Sequence, residues 1–282
     1  MKVIVLSDNR LVDNNFESEH GLSVYLETEQ YKFLFDTGAS DVFIRNAAKA
    51  GVDLTQVDYV FISHGHRDHA GGLEQFLQLN RKVKVVLSKY ALNRKYYSKR
   101  TGFREIGVEL DMSRYPGRFL FVEDQPVLAE NIHVLKPFVR LFPIPEANRT
   151  LFMDRRSGLV LDEFKHEIVV AIGEHELFVF TGCAHLGLLN MLESVTGKTG
   201  KFIRYVVGGF HLLDSTDTQQ YENPDAIDAI VQQIRKDYPH TLFYTGHCTG
   251  DEVCRRLTRE FPGQMHAFYA GMEVGLNIDS HK

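Results

Sequence analysis

The stretch DYVFISHGHRDHAGG, residues 58–72, decides how this chain is read. Its first six residues, Asp58–Ser63, form the apolar, aromatic run of a buried strand. His64, His66, Asp68 and His69 follow at once: four side chains with metal-binding atoms within six positions. Imidazole and carboxylate are good ligands for Zn²⁺ and related divalent ions. A tight loop cannot aim all four at one ion. The spacing allows a split, with His64 and His66 on one metal and Asp68 and His69 on a second. Gly65 lets the loop turn sharply, and Gly71-Gly72 permits close backbone approach before the next helix.

Similar strand-like runs lie on both sides. They are KVIVL (Lys2–Leu6), YKFLFD (Tyr31–Asp36), KVKVVL (Lys82–Leu87), EIVVAI (Glu167–Ile172), ELFVFT (Glu176–Thr181), RYVVGG (Arg204–Gly209) and TLFYTG (Thr241–Gly246). Helix patterns alternate with them at Asp41–Ala50, Leu73–Leu79, Leu186–Val195, Asp225–Tyr238 and Asp251–Phe261. Asn223 reads as an N-cap with Pro224 at the first helical position, and Pro239 stops that helix. Strands alternating with helices predict an α/β fold. Four strands run into His-bearing loops: FISHGH, VFTGCAH, VVGGFH and FYTGHC. In open α/β sheets, sites gather beyond strand ends.

Those loops supply further ligand candidates. His185 and His247 each follow an apolar strand and a glycine, and His211 has a similar setting, as a ligand or a direct active-site contact. Asp36 ends the strand YKFLFD, where a carboxylate can accept the free N–H of a ligand imidazole and set its tautomer. Cys183 and Cys248 sit within two positions of candidate histidines and read as small buried residues packing tight loops. Cys254 reads as core, and His20 as a polar turn residue.

Composition narrows the partners. Of 282 residues, 32 are Lys or Arg and 37 Asp or Glu, a net charge of −5, which argues against a whole-surface nucleic-acid binder. Three cysteines cannot build a disulfide framework, so a reducing compartment is expected. No apolar run is long enough to span a membrane, and the N-terminus lacks a signal-peptide pattern. The expectation is a cytoplasmic protein with neither nucleic-acid nor membrane partner and an open oligomeric state. A single domain over 1–282 is expected, with a basic-aromatic insertion at about 89–158 covering the site. Its first part, Lys89–Arg118, carries eight Lys/Arg against three acids. There Arg94, Lys95, Arg100 and Arg104 are candidates to grip a phosphate or carboxylate, and neighbouring Tyr and Phe to stack on a planar ring.

Asp36, the HGHRDH run, His185 and His247 occur in the order found in the metallo-β-lactamase superfamily, which the chain resembles over nearly its full length. The resemblance implies a four-layer αββα sandwich with a di-metal site at one edge of its two sheets. It implies that His64, His66 and His185 bind the first metal and Asp68, His69 and His247 the second. One departure is the bridging aspartate of that superfamily. No Asp follows a strand between His185 and His247 in the usual manner; His211 stands near there, with Asp214 three residues on. The motifs EHGLS, FDTGAS, SHGHRDHAGGL, TGCAHLGLLN, VVGGFHL and TGHCTG are similar to a narrower branch. That branch is named after 7,8-dihydropterin-6-yl-methyl-4-(β-D-ribofuranosyl)aminobenzene 5′-phosphate synthase.

Three functions follow as expectations. The first is a hydrolase that uses one or two divalent ions, Zn before Mn or Fe, to activate a water against an anionic small molecule, with Asp68 and His211 as catalytic residues. The second is a transferase like the branch's namesake, releasing diphosphate as an arylamine attacks a pterin methyl carbon. The third is a sensor that binds metal and ligand without turnover. A di-iron redox role is disfavoured by the lack of an Fe–S cysteine set.

Overall fold

The computed structural model describes residues 1–123, 127–215 and 221–275. Two seven-stranded sheets are stacked face to face. The first has the spatial order Glu273–Val274, Lys2–Ser7, Ser23–Glu27, Lys32–Phe35, Tyr59–Phe61, Lys84–Leu87, Phe119–Phe121. The second runs Met265–Ala267, Leu242–Thr245, Phe202–Gly208, Glu176–Phe180, Val169–Ile172, Ile132–Leu135, Val127–Ala129. Each sheet is antiparallel in one half and parallel in the other. In the first, the strands from Lys32–Phe35 to Phe119–Phe121 pair in parallel. In the second, those from Glu176–Phe180 to Met265–Ala267 do so. The parallel strands are covered on both faces, so they read as continuous apolar runs.

Side-chain alternation builds the layers. Phe33, Phe35 and Phe61 point between the sheets and meet Val170, Phe178 and Phe180. The Phe35 and Phe180 rings lie 4.7 Å apart, centroid to centroid. Burying each such ring stabilises the fold by about 2–3 kcal/mol. The intervening Leu34, Val60 and Val85 point outward against Phe43, Leu73 and Phe76 of the helices Val42–Lys49 and Leu73–Leu79. On the far side, Leu177, Val179 and Val206 pack on Met191, Val231 and Leu257. These belong to helices Leu188–Thr199, Pro224–Asp237 and Asp251–Glu260. The result is the αββα sandwich that the resemblance implied.

The helix signals are realised with one extension. The Asn223 side chain accepts the Asp225 N–H at 3.0 Å, as an N-cap should. The helix expected over 186–195 instead covers Leu188–Thr199 and stops where Gly200 turns left-handed, at φ 64°.

A third, four-stranded sheet comprises Tyr96–Ser98, Arg104–Glu105, Leu151–Arg155 and Gly158–Leu161. The 89–158 stretch is therefore divided. Its two ends contribute to this small sheet, whereas Phe119–Phe121, Val127–Ala129 and Ile132–Leu135 complete the large sheets. Residues 124–126 of that stretch lie outside the described residues. No helix among the described residues is long and apolar enough to cross a membrane.

Candidate metal centre

The parallel strands deliver the site. Lys32–Phe35, Tyr59–Phe61, Glu176–Phe180, Phe202–Gly208 and Leu242–Thr245 end side by side, and Asp36, His64, Cys183, His211 and His247 follow within three residues of those ends. Sharp exits are needed there. Six described non-glycine residues have positive φ, and five of them, Asp36, Phe164, Ala184, His211 and His247, surround the site. Such backbone persists only where the surroundings enforce it, and it clusters at functional sites.

Within HGHRDH the chain changes conformation after His66, which is extended, and enters a short helix, Arg67–Ala70. His64 thus projects from a bend and His66 from extended backbone, ahead of the helical turn that carries Asp68 and His69, which physically separates the two pairs. Gly65 has no left-handed φ. Its need is space instead, because a β-carbon there would overlap the Ala91 carbonyl. The chain does bend at His64–Gly65 as expected, with glycine required there for room and not for its φ.

The hydrogen bonds define the tautomers. Asp36 is fully buried; its Oδ1 accepts the Ser63 N–H at 2.7 Å and its Oδ2 the Ser63 hydroxyl at 2.7 Å and His69 Nδ1–H at 2.6 Å. Having donated its only proton, Ser63 Oγ accepts from His64 Nδ1 at 2.9 Å. Buried Glu167 accepts His185 Nδ1–H and the His185 N–H on Oε1, and the Leu186 N–H on Oε2, each at 2.8 Å. Asn9 Oδ1 accepts His247 Nδ1–H at 3.0 Å. Four imidazoles thus spend Nδ1 on a fixed oxygen and leave Nε2 for the site. Phe164 stacks flat on His185, at 4.5 Å, and holds its plane.

These Nε2 atoms converge. The ring centroids of His64, His66 and His185 are 4.6, 4.7 and 5.1 Å apart. His69 and His247 approach to 3.1 Å through Nε2, with Asp68 Oδ2 3.7 and 3.3 Å away. The two groups adjoin, His64 and His69 lying 4.1 Å apart. Cys183 Sγ is 3.0 Å from His69 Nε2. His64 Nε2, His66 Nε2 and both nitrogens of His211 are buried without a hydrogen-bond partner. Orphaned buried acceptors are costly, and a set of them facing one another is what a cation satisfies. The donor chemistry of imidazole, carboxylate and thiol fits divalent metals.

Electrostatics agree. Burial and the neighbouring His69, His66 and His185 push His64 well below the usual imidazole range. Burial and His66 do the same for His185. Burial, then His185, lowers His211 to about 4. These rings are neutral at pH 7 and their lone pairs are available. At His247, burial is outweighed by the Asp68 hydrogen bond, which pushes it up to about 9. His247 Nε2 there faces both Asp68 Oδ2, at 3.3 Å, and His69 Nε2, at 3.1 Å. Burial would raise Asp68, but His69 and His247 outweigh it and hold the carboxyl well below its usual range.

A cleft of about 250 Å³ opens onto this centre, bordered by His66, Asp68, His185 and His211 and also by Arg100 and Arg104. Of the other two basic candidates, Arg94 borders an adjacent cavity of about 700 Å³ beside Tyr90 and Asp162, and Lys95 a third beside Glu74. His20, expected to be a turn residue, also borders the metal-centre cleft; it stacks on His247 at 5.2 Å and lies 3.5 Å from Asp68. Asp214 is a helix cap: its carboxylate accepts the N–H groups of Asp251, Glu252 and Val253 at 2.6–3.1 Å.

Sequence reasoning missed several contributors. Glu167 was legible only as an acid opening an apolar strand. Asp162 and His166 lie beside His66, but His166 accepts the Gly65 N–H on Nδ1 and bonds Asp162 through Nε2. With both nitrogens spent, it braces the loop and has no ligand atom left. Cys183 and Cys248 pack with Ala147, Leu213 and Tyr221 as expected, and the structure adds that Cys183 Sγ faces the histidine cluster.

Comparison with known proteins places this geometry in a class. A family model described as the metallo-beta-lactamase superfamily matches residues 19–153. The crystal structure of Tm1679, described as a metal-dependent hydrolase of the beta-lactamase superfamily, is 35% identical. It covers 98% of this chain and 99% of its own, with a TM-score of 0.79. The chain belongs to the metallo-β-lactamase superfamily. Two curated proteins of Methanocaldococcus jannaschii are also similar. The uncharacterized protein MJ0448 is 28% identical over 88% of this chain and 93% of its own. A 7,8-dihydropterin-6-methyl-4-(beta-D-ribofuranosyl)-aminobenzene-5′-phosphate synthase is 24% identical over 96% of this chain and 95% of its own.

Proposed function

We propose that this chain is a metal-dependent hydrolase of an anionic small molecule, working in a cytoplasmic setting. His64, His66 and His185 hold one divalent ion, and Asp68, His69 and His247 the other. The reading is carried by one observation: buried, unpartnered imidazole nitrogens of His66 and His211 belong to residues that line one cleft together with Arg100 and Arg104. Zn²⁺ suits the donor set best. Divalent ions held there supply Lewis acidity, acidifying water and offsetting the negative charge that builds in a transition state. The chain's own groups do the rest. Asp36, Ser63, Glu167 and Asn9 fix the rings so that no reorganisation is needed during reaction. Asp68, kept ionised by His69 and His247, orients an attacking water and takes its proton. His211, neutral and facing the cleft, offers the substrate either a donor or an acceptor. Arg100 and Arg104 bind the phosphate or carboxylate.

The full-length similarity to the Methanocaldococcus jannaschii synthase supports a second reading, in which an arylamine displaces diphosphate from a pterin methyl carbon in the same cleft. Both readings are tested by assaying metal-loaded protein against phosphodiesters, lactones, thioesters and a pterin methyl diphosphate with an arylamine. Hydrolysis that is abolished by chelation and by His185→Ala is expected. Coupling without any hydrolysis would replace the hydrolase with the transferase.

A further inference from the structure

We propose that Cys183 is a metal ligand whose sulfur bridges the two ions, in the role that an aspartate fills elsewhere in the superfamily. The inference rests on the two-ion reading above and adds a ligand to it. Three potential metal-holding groups among the described residues share this one atom. Cys183 Sγ lies within 4.8 Å of the ligand atoms of His64 and His185, of His69 and His247, and of His211 and Cys248. The first pair belongs to one proposed ion and the second pair to the other, so a single sulfur faces both positions. Its contact with His69 Nε2 is 3.0 Å, and that nitrogen is available as an acceptor because Asp36 takes the Nδ1 proton.

The backbone is shaped to present this side chain. Gly182 and Ala184, on either side of Cys183, both have left-handed φ, 62° and 53°. A β-carbon at Gly182 would collide with the Ser63 side chain, so the turn is pressed against the loop that carries His64. Ala184 holds a conformation that only glycine adopts without strain. Cys183 is buried yet borders the cleft. The carboxylate that could have competed is committed elsewhere, since Asp214 caps the helix Asp251–Glu260. Charge is balanced by the same device: the thiol proton leaves to solvent as the sulfur binds, and the thiolate supplies the negative charge that a bridging carboxylate would have brought. A soft sulfur donor also tilts the centre toward Zn, Co or Fe and away from Mn.

The test uses Co²⁺ added to metal-free, reduced protein, read by elemental analysis and by the thiolate-to-cobalt charge-transfer absorption. In the wild type the band should grow through both equivalents of cobalt. Cys183→Ser should abolish it and weaken the binding of the ions at least tenfold. Cys183→Asp should restore two ions without the band. Cys254→Ser, a change of the same size on the helix Asp251–Glu260 and outside these groups, should keep the band and so controls for a general effect of losing a buried cysteine. A band that persists in Cys183→Ser, or saturates at one equivalent, overturns the bridge. Two cobalt ions bound with no band in the wild type overturn the bridge and leave the two-ion reading standing. No cobalt bound at all overturns both.

Discussion

Asp36→Asn is the most informative single perturbation of the metal centre. Asparagine is nearly isosteric and among the side chains best tolerated at left-handed φ, so the strained backbone at φ 57° is kept. Only the acceptor pattern changes. Asp36 takes three donors: the Ser63 N–H on Oδ1, and the Ser63 hydroxyl and His69 Nδ1–H on Oδ2. An amide can orient in two ways. If its oxygen replaces Oδ2, its NH₂ faces the Ser63 N–H, and two buried donors collide. If its oxygen replaces Oδ1, His69 Nδ1 must accept, so the ring proton moves to Nε2 and the lone pair leaves the metal position. The first arrangement loses one charge-assisted bond and strands a donor, which costs about 2–4 kcal/mol. The second spares the fold more and costs the ligand. A residue that orients a ligand histidine changes metal affinity by roughly 10–100-fold, or about 1.4–2.7 kcal/mol. Urea unfolding of the metal-free variant and a chelator-competition titration separate the two costs. Unchanged stability together with unchanged affinity would refute the assignment of Asp36 as the acceptor that sets His69.

Four further outcomes are expected. Metal-free protein should lose stability as pH rises from about 6.5 to about 9, because the raised His247 binds its proton more tightly folded than unfolded; pH-dependent denaturation checks this. The same proton must leave for an ion to bind, so apparent metal affinity should rise up to about tenfold per pH unit in that window, a trend read with a metal indicator. Arg100→Ala and Arg104→Ala should each raise KM for an anionic substrate roughly tenfold with little change in kcat, because they touch the anion and not the reacting atoms; loss of kcat alone would contradict this. Asp214→Ala should cost about 1–2 kcal/mol by uncapping the helix Asp251–Glu260 while leaving metal content unchanged; loss of an ion would make it a ligand after all.

Local chemistry carried much of this protein's description into its sequence. The α/β class follows from apolar runs alternating with helix patterns, whereas the αββα layering was implied by the family resemblance; residues 64–69 advertise ligand chemistry because four donors occupy six positions. Even the division of that run has a local cause, the switch from extended chain to helix after His66. Asp36 was accessible too, as a carboxylate at a strand end.

Other parts needed the folded chain. Whether an imidazole offers Nε2 or Nδ1 depends on which oxygen meets its other face, and that oxygen comes from afar: Glu167 for His185, Asn9 for His247. The surroundings of Cys183 and Asp214 are set in the same way. Along the chain an acid resembles a ligand and a lone thiol resembles filler. Only when the two sheets stack does one reach a helix end and the other stand between two sets of lone pairs. Residue type and spacing set what a side chain can do, while the packing of distant strand ends selects which of those things it does.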